Sequence, residues 1–119
     1  MPRDYKNLKV FHAVDDLVVR IYEATASFPK SEMFGLTSQM RRAAASVPAN
    51  VVEGAARHSD NEFANFLNIA YGSLAELRYF IDLSRRLGFL ADEPHGVLSA
   101  QADEASRMLN GLMKSVRGS

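Results

Sequence analysis

Four stretches of apolar residues recur at spacings of three and four, with no strand-like alternation between them. That period confines the chain to helices that must bury one stripe each against a neighbour. Leu8, Phe11, Val14, Leu17, Ile21 and Thr25 mark a first helix over about 6–27. The loop FPKSEMFG follows, punctuated by Pro29 and Gly35. Met40, Ala43, Ala44, Val47, Val51 and Ala55 mark a second helix over about 37–57, with Thr37 or Ser38 as its cap. Ser59-Asp60-Asn61-Glu62 has the spacing of a capping box. The third helix then runs over about 60–87 on Phe63, Leu67, Ala70, Leu74, Leu77 and Ile81, and Gly88 is placed to end it. Asp92 is the expected cap of a fourth helix over about 93–117, with Pro94 in its first turn. Four long helices with short loops predict an all-α, antiparallel up-down four-helix bundle, one domain over residues 1–119.

Composition narrows the function classes. The chain has 119 residues, of which 47% are hydrophobic, enough for one modest core. Fourteen basic side chains balance fourteen acidic ones, so net charge points to neither nucleic acid nor a membrane. The absence of cysteine removes disulfides, thiolate metal sites and cysteine nucleophiles together. No apolar run approaches the roughly 20 residues of a bilayer span. The N-terminal MPRDYKNLKV has no apolar signal region, so the expected location is the cytoplasm.

Three local features ask for more than a plain bundle. Pro48 stands inside the second helix, where it removes one hydrogen bond and crowds the carbonyl of Ala44, at a cost of about 3 kcal/mol if uncompensated. The expected result is a kink or bulge, which either wraps the helix round its neighbours or bares carbonyls for a ligand. On the third helix, Phe66, Ile69, Phe80, Leu83 and Leu87 fall outside the core stripe and widen the apolar arc beyond what a monomer buries, which predicts self-association. On the second helix, Gln39, Arg42, Ser46, Asn50, Glu53 and Arg57 form one polar stripe. It is either a solvated face, a ligand site, or a set of contacts to another helix or chain. Arg42 and Glu53 lie three turns apart, so each needs its own partner; Glu76 is the expected partner of Arg41 or Arg42.

The segments FPKSEMFGLTSQMRRAAASVPANVVEG, S-x-x-EF-x-x-FL-x-IA-x-GSLAEL and RRLGFL resemble the bacterial four-helix-bundle family named after 23S rRNA intervening-sequence proteins. The resemblance covers about residues 5–117 and departs at Val52 and at Ala55-Ala56. It implies a homo-oligomer, specifically a pentameric ring, with no established catalytic activity. By position it carries over Arg41, Arg42, Asn50, Glu53 and Glu76 as oligomer or buried polar contacts, and Pro48 and Gly54 as structural residues. A related branch, the accessory proteins of diversity-generating retroelements, implies nucleic-acid and reverse-transcriptase binding through a basic surface.

The expected function is that of a non-catalytic homo-oligomeric scaffold presenting a surface to another protein. The alternative is an RNA- or DNA-binding accessory protein. Its contacts would be Arg3, Lys6, Lys9, Arg57, Lys114 and Arg117, six cations that an up-down bundle brings to one end beside Asp4, Asp60 and Glu62, with His58 close by. Three of them also sit near helix C-termini, where the macrodipole favours cations without any ligand. An enzyme is not expected. There is no Glu-x-x-His pair for a di-iron centre, no phosphate-binding glycine loop and no nucleophile elbow. His12 and Asp16, four apart, make a solvated pair before they make a metal site. No cofactor is expected.

Overall fold

The computed structural model describes residues 2–118. Four helices carry the fold: α1 Lys9–Thr25, α2 Leu36–Ala55, α3 Asp60–Arg86 and α4 Asp92–Arg117. Short 3-10 turns at Tyr5–Asn7 and Lys30–Glu32 precede α1 and α2, and no strand occurs among the described residues. Each helix packs on the next in sequence and α1 closes against α4, giving a four-sided antiparallel bundle of 45 × 24 × 19 Å. No helix among the described residues is long and apolar enough to cross a membrane.

The stripes read from the sequence form the core. Leu17, Ile21, Met40, Val51, Phe63 and Leu74 are among its fully buried side chains. Buried alanines, Ala43 and Ala44 on α2, Ala70 on α3, Ala102 and Ala105 on α4, let the helices approach closely. Gly54 takes this furthest. A Cβ there would stand 2.7 Å from Phe66 Cβ and 3.0 Å from Phe63 Cδ1, so only glycine fits where α2 meets the start of α3. Ser84 is a fully buried polar residue; its hydroxyl donates to Phe80 O at 2.8 Å, with Met40 Sδ 3.1 Å away.

The helix ends show where local rules held and where neighbours overrode them. Ser59 caps α3: its hydroxyl accepts from Glu62 N at 3.1 Å and lies 3.3 Å from the Glu62 carboxylate. Gly88, at φ +80°, closes α3 as a Schellman turn, with Gly88 N donating to Arg85 O and Phe89 N to Ser84 O. The first helix starts later than expected. Asp4 accepts from Lys6 N and holds a separate 3-10 turn, and Leu8 is extended before α1 begins. Thr37 and Ser38 do not cap α2. The cap residue is Gly35, and the Glu32 carboxylate accepts from Leu36 N at 3.3 Å, while Thr37 turns inward. Asp92 is the first residue of α4 and not its cap; its carboxylate is drawn to Arg85 Nε at 2.8 Å. α2 continues as α-helix through the buried Pro48, with no bulge.

Candidate interaction face between α2 and α3

The polar stripe of α2 and the extra apolar arc of α3 lie side by side. Together they form the outer rim of the α2–α3 seam. At one end Arg57 stacks over the Phe66 ring, 4.7 Å from its centroid, and donates to Glu53 at 3.0 Å. Glu53 therefore finds its partner one turn away on its own helix. The expectation that it needs another helix or chain is corrected, because i,i+4 spacing brings the two side chains together. In the middle, Asn50 Nδ2 donates to Ser46 O at 2.8 Å and approaches Ser46 Oγ at 3.1 Å. The Ser46 and Ser73 hydroxyls share a hydrogen bond of 2.9 Å that crosses to α3. Asn50 thus works inside the chain, over the turn that contains Pro48.

At the other end the rim opens into a polar groove of about 280 Å³ lined by Gln39, Arg42, Ser46, Ser73, Glu76 and Phe80. Arg42 and Glu76 face this groove from opposite helices, both exposed, and neither has an ion-pair or hydrogen-bond partner among the described residues. Their expected pairing is not made within the chain. Ile69 and Leu87 belong to the same α3 stripe and are each 52% exposed, whereas Phe66, Phe80 and Leu83 are half-buried. The apolar arc is thus partly covered by α2 and partly bare.

Arg41, next to Arg42, does something different. One residue turns the helix about 100°, which points Arg41 at α1. Its Nε donates to Thr25 Oγ1 at 2.9 Å, its Nη2 to Tyr22 O at 3.3 Å, and its guanidinium lies 4.6 Å from the Tyr22 ring centroid. The last turn of α1 tightens, with Ala26 N bonding to Glu23 O, which frees Tyr22 O for the arginine. Arg41 therefore closes the C-terminus of α1 and is not a partner of Glu76.

The basic end is less basic than the sequence suggests. Arg3 pairs with Asp60 at 2.9 Å and covers the Phe63 ring, and Arg57 is neutralised by Glu53, a carboxylate that belongs to the same end. Lys6, Lys9, Lys114 and Arg117 remain without an ion-pair partner among the described residues. His12 Nε2 donates to Lys6 O at 2.7 Å and so serves the 3-10 turn, away from Asp16. No group of three or more metal-ligating side chains occurs among the described residues.

One cluster escaped the sequence reading. Asp82 on α3 and His95 and Ser99 on α4 meet beside Arg78 in a hollow of about 300 Å³. Asp82 Oδ1 lies 2.8 Å and Ser99 Oγ 3.4 Å from His95 Nε2. Both approach the same nitrogen, whereas a nucleophile relay needs the acid and the serine on opposite ring nitrogens. The cluster ties α3 to α4.

These features define an all-α, antiparallel four-helix bundle whose distinctive outer surface is a half-covered seam rim. The chain belongs to the family of 23S rRNA-intervening sequence proteins, whose model matches residues 6–111. A solved structure with the same fold is a protein of unknown function from the S23 ribosomal protein family of Bacteroides thetaiotaomicron VPI-5482. It superimposes with a TM-score of 0.81 at 24% identity, covering 88% of this chain and 95% of that one. No curated protein matches the chain.

Proposed function

We propose that this protein is a non-catalytic, self-associating module whose copies meet through the outer rim of the α2–α3 seam, and whose assembled surface serves as a scaffold for another protein. The observation that carries the reading is the rim itself: bare Ile69 and Leu87 beside Arg42 and Glu76, two opposite charges left unpaired across one groove. Bare apolar side chains gain about 25 cal/mol per Å² when covered, and a copy that also pairs the two charges fixes its own register. The assembly proposed is the pentameric ring that the family resemblance implies. The geometry around His95 supports the non-catalytic part.

Light-scattering mass across a dilution series tests this. The parent is expected to hold a multiple of its 13.2 kDa. Arg42→Ala and Glu76→Ala are expected to dissociate at higher concentrations than the parent. Unchanged dissociation in both variants refutes the rim as the contact.

A second reading, binding of RNA or DNA, is favoured by Lys6, Lys9, Lys114 and Arg117 at one end, four cations with no ion-pair partner among the described residues. Labelled structured RNA titrated at 50 and 200 mM salt separates the two. A steep loss of affinity with salt supports phosphate contacts, and absence of binding at low salt removes them.

A further inference from the structure

We propose that the α1–α2 loop of one copy seats Phe34, with Met33 beside it, in the groove between α1 and α4 of a second copy of this chain. The inference deepens the self-association proposed above and rests on it.

Phe34 is 94% exposed, far more than any other large apolar side chain described. Slack in the loop does not explain this. The turn at Lys30–Glu32 is closed by Met33 N donating to Lys30 O and Gly35 N to Glu32 O. Glu32 also ties the loop to α2 through Leu36 N, and Phe28 anchors its base against the Phe89 ring at 5.7 Å. The ring is held out in water by an ordered turn. A phenylalanine buries roughly 150–250 Å² when covered, so such a placement favours an external acceptor.

The chain carries a matching hollow at the same end of the bundle. Between α1 and α4 lies a groove of about 390 Å³ with Ala24, Pro94, Val97 and Leu98 as its apolar lining. Val97 is 45% exposed there. Charge favours the match. Around the knob stand Lys30, Arg41 and Arg42 against one carboxylate, Glu32. Around the hole stand Glu23 and Glu93 against one cation, Arg20, and the two glutamates have no ion-pair partner among the described residues.

The placement also bears on the kind of assembly. Arg42 lines both the cleft beneath Phe34 and the α2–α3 groove, so the knob is continuous with the proposed contact face. The α1–α4 seam is the opposite long side of the bundle, as the order of neighbours requires. A knob continuous with one long side and a hole on the opposite side suit a head-to-tail contact, and the ring proposed above is its closed form. A side of the bundle 45 Å long is ample for the roughly 800 Å² per partner that a stable interface takes.

The natural chain has no cysteine, so introduced ones report cleanly. The test is mild oxidation of Met33→Cys/Val97→Cys, which keeps Phe34, read on a non-reducing gel beside the light-scattering mass of the parent. The double variant is expected to give a ladder of covalent multimers. A mixture of the two single variants is expected to stop at dimers, and neither single variant is expected to cross-link to itself. Phe34→Asp is expected to keep its helical circular dichroism and lose the parent's mass. An oligomeric parent whose double variant gives no ladder, or a Met33→Cys variant that cross-links to itself, overturns this contact and leaves self-association standing. A parent that is monomeric at every concentration overturns both.

Discussion

The α2–α3 and α1–α4 seams lie on opposite sides of one bundle and are finished in opposite ways. In the α2–α3 seam Gly54 lets two backbones meet, and the polar groups answer one another through Asn50, Ser46 and Ser73 and through Glu53 and Arg57. The groove that stays open there is polar, with Arg42 and Glu76 at its edge, and Ile69 and Leu87 stand bare along the same rim. The α1–α4 seam keeps two hollows, of about 390 and 250 Å³, the second lined by Leu8, Val10, Met108 and Leu112. Between them lies Gln101, whose Oε1 is buried without a partner among the described residues. The α2–α3 seam leaves polar groups and a polar groove on its rim, and the α1–α4 seam leaves apolar hollows; in the proposed contact the first presents and the second receives.

The strongest way to break this contrast is to add one methyl group to the tight seam. Gly54→Ala is expected to cost about 1–3 kcal/mol in denaturant unfolding from overpacking against Phe63 and Phe66, despite the roughly 1 kcal/mol that alanine gains over glycine in a helix. A more stable variant would mean that the seam has slack. Next, Arg41→Ala is expected to lose about 1–2 kcal/mol by freeing the end of α1, while Arg41→Lys recovers little of it, because an ammonium cannot reproduce the flat contact with Tyr22. In the loose seam the sign reverses. Gln101→Met removes an unpaired acceptor at nearly constant shape and is expected to raise stability by up to about 1 kcal/mol. A loss of that size would show that the amide is satisfied after all.

The smallest effect concerns pH. Arg85, through its hydrogen bond and then its charge, holds the Asp92 carboxyl below the usual carboxylate range. A group with a lowered folded pKa adds stability above its unfolded pKa, and the gain disappears as pH falls through the folded value. The melting temperature of Asp92→Asn is expected to lie slightly below the parent's near neutral pH, and the gap to close in acid. A gap constant down to strong acid would assign the difference to packing instead.

The four helices, their core stripes, the Ser59 capping box and the Gly88 stop were legible because each depends on spacing within one segment. Whatever depended on a neighbour was not. The adjacent Arg41 and Arg42 are identical as letters, and only the order of helices round the bundle sends one to α1 and leaves the other at the α2–α3 groove. Asp92 looks like a cap until α3 places Arg85 within reach. Glu53 is the exception: its partner Arg57 stands four residues on along the same helix face, so their pairing depends on spacing alone. The exposure of Phe34 had no signal in periodicity, since the loop around it has none.

The proposed assembly sets the rim of the α2–α3 seam against the α1–α4 hollow of another copy. Hydroxyl-radical footprinting of the parent, concentrated and then diluted to its smallest mass, tests it directly. Oxidation of Met33, Phe34, Ile69, Leu87 and Val97 is expected to be low in the concentrated sample and to rise on dilution. Tyr71 is expected to stay unchanged, because its stripe continues through Arg78 and Asp82 on the α3–α4 side, where both reach α4. Oxidation independent of concentration at all five positions, or protection at Tyr71 alone, would contradict the account.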